Sequence, residues 1–214
     1  MTAKLLSSQS ILTALALSLP LSTEALALEP SFDCSKSDSD VEDAICQSDD
    51  LAELDLELTR LYGLARKGPN LGNRKAELAS AQKSWVASRN ECWKSSLGID
   101  VCTANAYAFR IAELREGYAD ARAEDGASDG PYAYRCDGLD ALVGATFVQT
   151  SSPRVVLSWL DQGMVLPLVE AGSGSKFASD IWDGGDALFW TKGEEAFFAA
   201  PGGPELTCLQ TPLD

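Results

Sequence analysis

Two short segments near the C-terminus carry the side chains best suited to chemistry on something outside the chain. One is Gly172-Ser173-Gly174-Ser175-Lys176-Phe177; the other is Phe189-Trp190-Thr191-Lys192-Gly193-Glu194. A serine and a lysine brought together can act as nucleophile and general base, yet Ser in a Gly-Ser stretch and Lys before Gly are also ordinary residues of solvated turns. Gly172, Gly174 and Gly193 suit a loop that must approach another surface closely, because they lack Cβ and have free φ. Lys176, three residues past Ser173, is a competing cation. Trp190 is expected in the core, since strand tryptophans are heavily buried.

A second group is acidic: Asp49, Asp50, Glu53 and Asp55. Acid–base catalysis or calcium binding would need such carboxylates, but these crowd the first turns of a helix, where the backbone dipole favours anions, and read as surface acids. The chain has no histidine and no C-x-x-C, which removes His-dependent triads and the common zinc and copper ligand sets. No cofactor or metal is expected, and no enzymatic activity.

The six cysteines, Cys34, Cys46, Cys92, Cys102, Cys136 and Cys208, make a disulfide framework if the chain is exported. Export is what the N-terminus suggests. Met1 to Lys4 precede an apolar run from Ile11 to Leu21 and small residues around Ala25-Leu26-Ala27, the layout of a signal peptide cleaved near Ala27. Residues 1–27 are therefore expected to be removed, leaving a periplasmic or secreted product; an uncleaved membrane anchor is the alternative. No cysteine follows the cleavage site directly, so the lipid-anchoring signal of bacterial lipoproteins is missing, and no later run approaches the roughly 18 apolar residues that would span a bilayer. The net charge of −15 repels nucleic acid and steers cationic partners inward.

The elements that must position these residues fall into two halves. From Ser39 to about Ala123 apolar residues recur at helical spacing. Ser39 to Glu42 has the spacing of a capping box. A helix follows from Ser48, its expected N-cap, with Leu51, Leu54, Leu58, Leu61 and Ala65 on one face, and stops at Gly68-Pro69. Further helices are predicted over about 73–92 and 101–118, and Trp85 and Arg89, one turn apart, read as a stacked pair. Residues 28–123 thus form a small helical hairpin bundle, stapled by disulfides because its core is modest. Residues 124–131 read as a linker.

From 132 to 214, short β-branched and aromatic runs alternate with turn clusters, as in an antiparallel barrel or sandwich. Cys136 and Cys208 would join its first and last strands, closing a loop of about 70 residues that is worth roughly 4 kcal/mol by chain entropy. The pairing of the other four cysteines stays open among three patterns, as does the oligomeric state.

Two resemblances add to this. Val41-Glu42-Asp43-Ala44-Ile45-Cys46, Ala81-Gln82-Lys83-Ser84-Trp85, Arg89-Asn90-Glu91-Cys92 and Arg110-Ile111-Ala112-Glu113-Leu114 make residues 32–115 resemble the LprI-like family of small helical periplasmic proteins, to some of which lysozyme inhibition is attributed. Tyr134-Arg135-Cys136, the Gly172–Phe177 and Phe189–Ala196 segments and Cys208 make residues 132–210 resemble the MliC family of c-type lysozyme inhibitors, which implies a small β-barrel. In that family the serine of one loop and the lysine of the other enter the enzyme's cleft, which maps to Ser173 and Lys192, with Gly174, Lys176, Phe177 and Gly193 beside them as binding residues. Phe177 stands where Tyr is usual, and about five extra residues around Asp180 to Gly185 separate the two motifs, with their effect on the relative position of the loops left open. The resemblance implies a proteinaceous inhibitor of c-type lysozyme, a cationic protein; an envelope scaffold or peptidoglycan-associated module is the alternative.

Overall fold

The computed structural model describes residues 28–123 and 125–212; the expected signal peptide lies outside them. The first half is helical. Helix α1 (Asp40–Gln47) is capped by Ser39, whose hydroxyl accepts from the Glu42 amide, while the Glu42 carboxylate reaches back to the amide of Asp38, one residue before the cap. Helix α2 (Asp49–Lys67) starts at Ser48 and ends at Gly68-Pro69. Helices α3 (Lys75–Arg89) and α4 (Ile99–Gly117) follow, then the single turn α5 (Ala119–Arg122). Their core contains Leu51, Leu54, Leu58, Leu61 and Ala65 on the predicted face of α2, with Tyr107, Ile111 and Leu114 of α4 against it. Disulfides join Cys34 to Cys46 and Cys92 to Cys102, resolving the open pairing. The first anchors the approach to α1 and the second fixes the start of α4. Among the described residues, no helix is long and apolar enough to cross a membrane.

Three of the acids read as surface residues, Asp50, Glu53 and Asp55, are structural. Asp55 is 5% exposed and accepts hydrogen bonds from the Tyr107 hydroxyl at 2.8 Å and the Ser31 amide at 2.6 Å. Arg89 donates to the Tyr107 oxygen at 2.7 Å, and its guanidinium lies 5.4 Å from the Trp85 ring, the expected stacked pair. Burial, reinforced by the Asp55 charge, pushes the Tyr107 phenol far above its ordinary pKa, so it stays a donor.

The second half is a closed barrel of eight antiparallel strands in sequence order: β1 (Ser128–Cys136), β2 (Leu142–Val148), β3 (Arg154–Trp159), β4 (Gln162–Val169), β5 (Ser175–Ser179), β6 (Ala187–Lys192), β7 (Glu195–Ala199) and β8 (Leu206–Thr211). Cys136 and Cys208 are register partners on β1 and β8 and are bridged. Period-two alternation fills the interior with Val155, Leu157, Met164, Leu166, Phe177, Phe189 and Phe198. The β3–β4 turn is Leu160-Asp161, with Gln162 and Gly163 already in β4.

The halves are packed together. Val156 and Val165 point outward from β3 and β4 yet are buried, at 4% and 2% exposure, under Ala108, Phe109 and Ala112 of α4; burying a valine is worth roughly 1.5–3 kcal/mol. Strand β1 begins at Ser128, inside the span expected to be linker. Polar residues hid that beginning: Ser128 is buried, donates to Glu57 of α2, and accepts from Arg115 of α4, which also donates to the Gly130 carbonyl at 2.8 Å. Asp50 pairs with the buried Arg154 and accepts from the Thr150 hydroxyl at 2.7 Å, and Glu53 accepts from the Ser151 amide. Asp50, Glu53 and Glu57 therefore form a stripe at i, i+3 and i+7 facing the barrel. Helix-dipole stabilisation accounts for Asp50 and Glu53 locally, which is why this second role was not read from sequence.

Candidate functional site

The register of β5 against β6 pairs Ser175 with Thr191, Lys176 with Trp190 and Phe177 with Phe189. This places the β4–β5 loop, with Ser173, and the β6–β7 turn, with Gly193, at the same end of the barrel. The alternation that turns Phe177 and Phe189 inward turns Lys176, Trp190 and Lys192 outward. Phe177 is consequently 2% exposed and packs on Phe147 in the barrel core, at 5.7 Å between ring centroids. It was expected among the binding residues; its ring instead supports the loop from below.

Trp190 was expected in the core and lies on the outer wall, half-buried, because its neighbour Phe189 takes the inward position. There it organises the site. Its indole N–H donates to the Ser173 carbonyl at 2.8 Å, tying one loop to the strand that leads into the other. Its ring receives the Lys192 ammonium at 3.7 Å and the Lys176 ammonium at 5.3 Å, both within cation–π range. Phe197, its register partner on β7, extends the aromatic wall and lies 5.3 Å from Lys192 Nζ.

Gly174 completes the join. Its φ of +65° disfavours any side chain, and a Cβ there would lie 2.0 Å from the Thr191 carbonyl oxygen, so the two loops touch backbone to backbone. Gly193 opens the two-residue turn between Lys192 and Glu195 with φ of +69°. Gly172, also expected to need its freedom, has neither positive φ nor a neighbour within 4 Å of a Cβ.

The candidate side chains of the two loops face solvent. Ser173, Lys192 and Gly193 are exposed. The chain has 32 acidic residues against 17 basic ones, yet neither Lys192 nor Lys176 forms an ion pair among the described residues. Glu195, opposite Lys192 in the register, is not drawn in. A cation resting on an aromatic face keeps its N–H donors for a strong acceptor, so an ammonium with no ion-pair partner among the described residues is suited to binding carboxylates. Among the described residues no cluster of side chains could hold a metal ion.

The extra residues belong to the β5–β6 connection. They lie at the opposite end of the β5–β6 hairpin, while the paired register runs unbroken from Ser175/Thr191 to Ser179/Ala187. Trp182 of this segment packs 6.4 Å from Phe109 of α4, ring to ring, and donates its indole N–H to the Val165 carbonyl at 3.0 Å, so the addition serves the seam between the halves.

An eight-stranded barrel with two coupled loops bearing serine and lysine defines a class, and residues 134–206 match the family model described as membrane-bound lysozyme-inhibitor of c-type lysozyme, MliC. The chain is also similar to the protein named Lipoprotein LprI of Mycobacterium bovis and of Mycobacterium tuberculosis, at 28% identity over 171 residues, covering 78% of this chain and 80% of each relative. That match is too long to lie within the barrel and extends into the helical half. No solved structure gives a significant match.

Proposed function

We propose that this protein inhibits c-type lysozyme by placing Lys192 and Ser173 in the enzyme's active-site cleft. The observation that carries the reading is the pair of loops locked side by side through Trp190 and Gly174, offering an unpaired ammonium and a hydroxyl at one end of the barrel. The family description of the barrel, and the similarity of most of the chain to envelope proteins named as lipoproteins, support an inhibitor at the cell envelope rather than an enzyme.

The chemistry follows from the target. Lysozyme works with one carboxylic acid of raised pKa and one ionised carboxylate flanking the scissile bond. An ammonium delivered between them pairs with the ionised group and lowers the pKa of the acid, removing the proton it must donate. The serine hydroxyl donates to a carboxylate while its backbone carbonyl stays engaged by Trp190. The loops arrive preorganised, so little ordering cost opposes association, and the acidic body of the inhibitor draws in a cationic enzyme over long range.

The test is a titration of muramidase activity with the purified protein. Inhibition should be competitive and weakened by salt, and Lys192→Ala should raise the inhibition constant at least about a hundredfold, with Ser173→Ala smaller. Undiminished cell-wall lysis at large molar excess of the native protein would overturn the reading.

A further inference from the structure

A slot of about 350 Å³ opens along the seam between the halves, away from the residues of the inhibitory loops. Its floor includes Ala104 of α4 and Val165 of β4, and at its rim Val101 and Ile181 leave 41% and 40% of their surface exposed. Ser48 and Asp100 line both this slot and a neighbouring hollow that also contains Asp40 and Asp43, so an apolar cleft runs directly into an acidic one. The one cation lining either cavity among the described residues is Arg154, which Asp50 already neutralises. Asp40, Asp43 and Asp100 form no ion pairs among the described residues.

The walls are built rather than incidental. The Cys92–Cys102 disulfide fixes the first turn of α4, which presents Asp100 and Val101. Ile181 belongs to the extra segment of the β5–β6 connection, whose next residue, Trp182, anchors it against Phe109 and Val165. Exposed apolar surface rimmed by charge of one sign marks a recognition surface, and these charges select the sign of the partner.

We propose that this seam binds a basic amphipathic peptide segment of a partner protein, with two or three apolar side chains in the slot and lysines or arginines over Asp40, Asp43 and Asp100. The pattern is that of a helix laid in a groove, where apolar anchors give affinity and the charged rim gives orientation. The site is independent of the Ser173 and Lys192 loops, so lysozyme inhibition is a control for folding and not a readout.

The experiment measures binding of a fluorescent 14-residue Leu/Lys amphipathic peptide to the purified, oxidised protein, beside a Leu/Glu peptide of the same pattern. The Leu/Lys peptide should bind and the Leu/Glu peptide should not. Val101→Asn with Ile181→Asn, and separately Asp43→Asn with Asp100→Asn, should each weaken binding about tenfold or more; all four side chains are exposed. Asp137→Asn with Asp140→Asn, on the β1–β2 turn and lining neither cavity, removes the same charge and should change binding less than about twofold. The proposal is overturned if the Leu/Lys peptide does not bind, if the Leu/Glu peptide binds equally, if the seam variants bind like the native protein, or if the β1–β2 pair weakens binding as much as the seam pair.

Discussion

The seam and the loop end of the barrel both use charged residues, to opposite ends. At the seam every buried charge meets its complement: Asp50 holds Arg154, and Glu57 and Arg115 share Ser128. At the loop end the backbone is held as tightly, by the Trp190–Ser173 bond and the Gly174 contact, while the ammonium of Lys192 and the hydroxyl of Ser173 are left without a polar partner among the described residues. Satisfied charge glues two halves of one molecule together. Charge on a fixed scaffold, with nothing among the described residues to satisfy it, is what the proposed function requires of the loop end.

That contrast can be broken from either side. The largest effect is expected from Lys192→Glu, which sets like charge against the lysozyme carboxylates and should raise the inhibition constant about a thousandfold, roughly 4 kcal/mol, with no change in melting temperature. Next comes Asp50→Ala at the seam, which strands the buried Arg154 and should lower unfolding free energy by about 3 kcal/mol in a denaturant titration, leaving inhibition intact once the protein is folded. Gly174→Ala should cost about 2 kcal/mol of stability, because a side chain at positive φ adds to a clash with the Thr191 carbonyl, and it should weaken inhibition as well; Gly172→Ala in the same loop should change neither by more than about 0.5 kcal/mol. The smallest effect is a pH effect in the helical half. Because the folded-state pKa of Tyr107 is raised, its contribution to stability is complete below the unfolded phenol pKa of about 10 and is lost as pH rises beyond it. Tyr107→Phe should cost about 1 kcal/mol at pH 8 and flatten the loss of stability between about pH 10 and 11, as read from thermal melts.

Much of the frame was legible because it is local. Ser39 and Ser48 as caps, the Gly68-Pro69 stop and the Cys136–Cys208 closure each follow from neighbouring residue types or from the places of two cysteines at the ends of one unit. Ser173 and Lys192 were singled out because they lie in motifs that resemble a known family. What was missed depended on parity and on long-range partners. Alternation along Phe189-Trp190 allows either residue to face inward, and only register against Phe177 decides for Phe189, which sends Trp190 out to the wall. Asp50, Glu53 and Asp55 already had a sufficient local reason to be acidic, so nothing in the helix pointed to Arg154 or Ser151 a hundred residues on, or to Tyr107. The polar start of β1 looked like linker because its buried serine is satisfied from the other half. The added β5–β6 residues could be counted but not placed without the strand order.

The bridge between the first and last strands has a consequence for resistance to proteases. Exposed turns are where such enzymes cut, and Ser173, Lys192 and Gly193 are exposed. Cys136 and Cys208 lie 72 residues apart in sequence, and the loops that carry Ser173 and Gly193 both fall between them. A single nick at either loop cuts one peptide bond but releases no fragment, because each new end stays tethered through the hydrogen-bonded strands and the sulfur link. A barrel wired in this way can be cut in either loop and still keep its strands together.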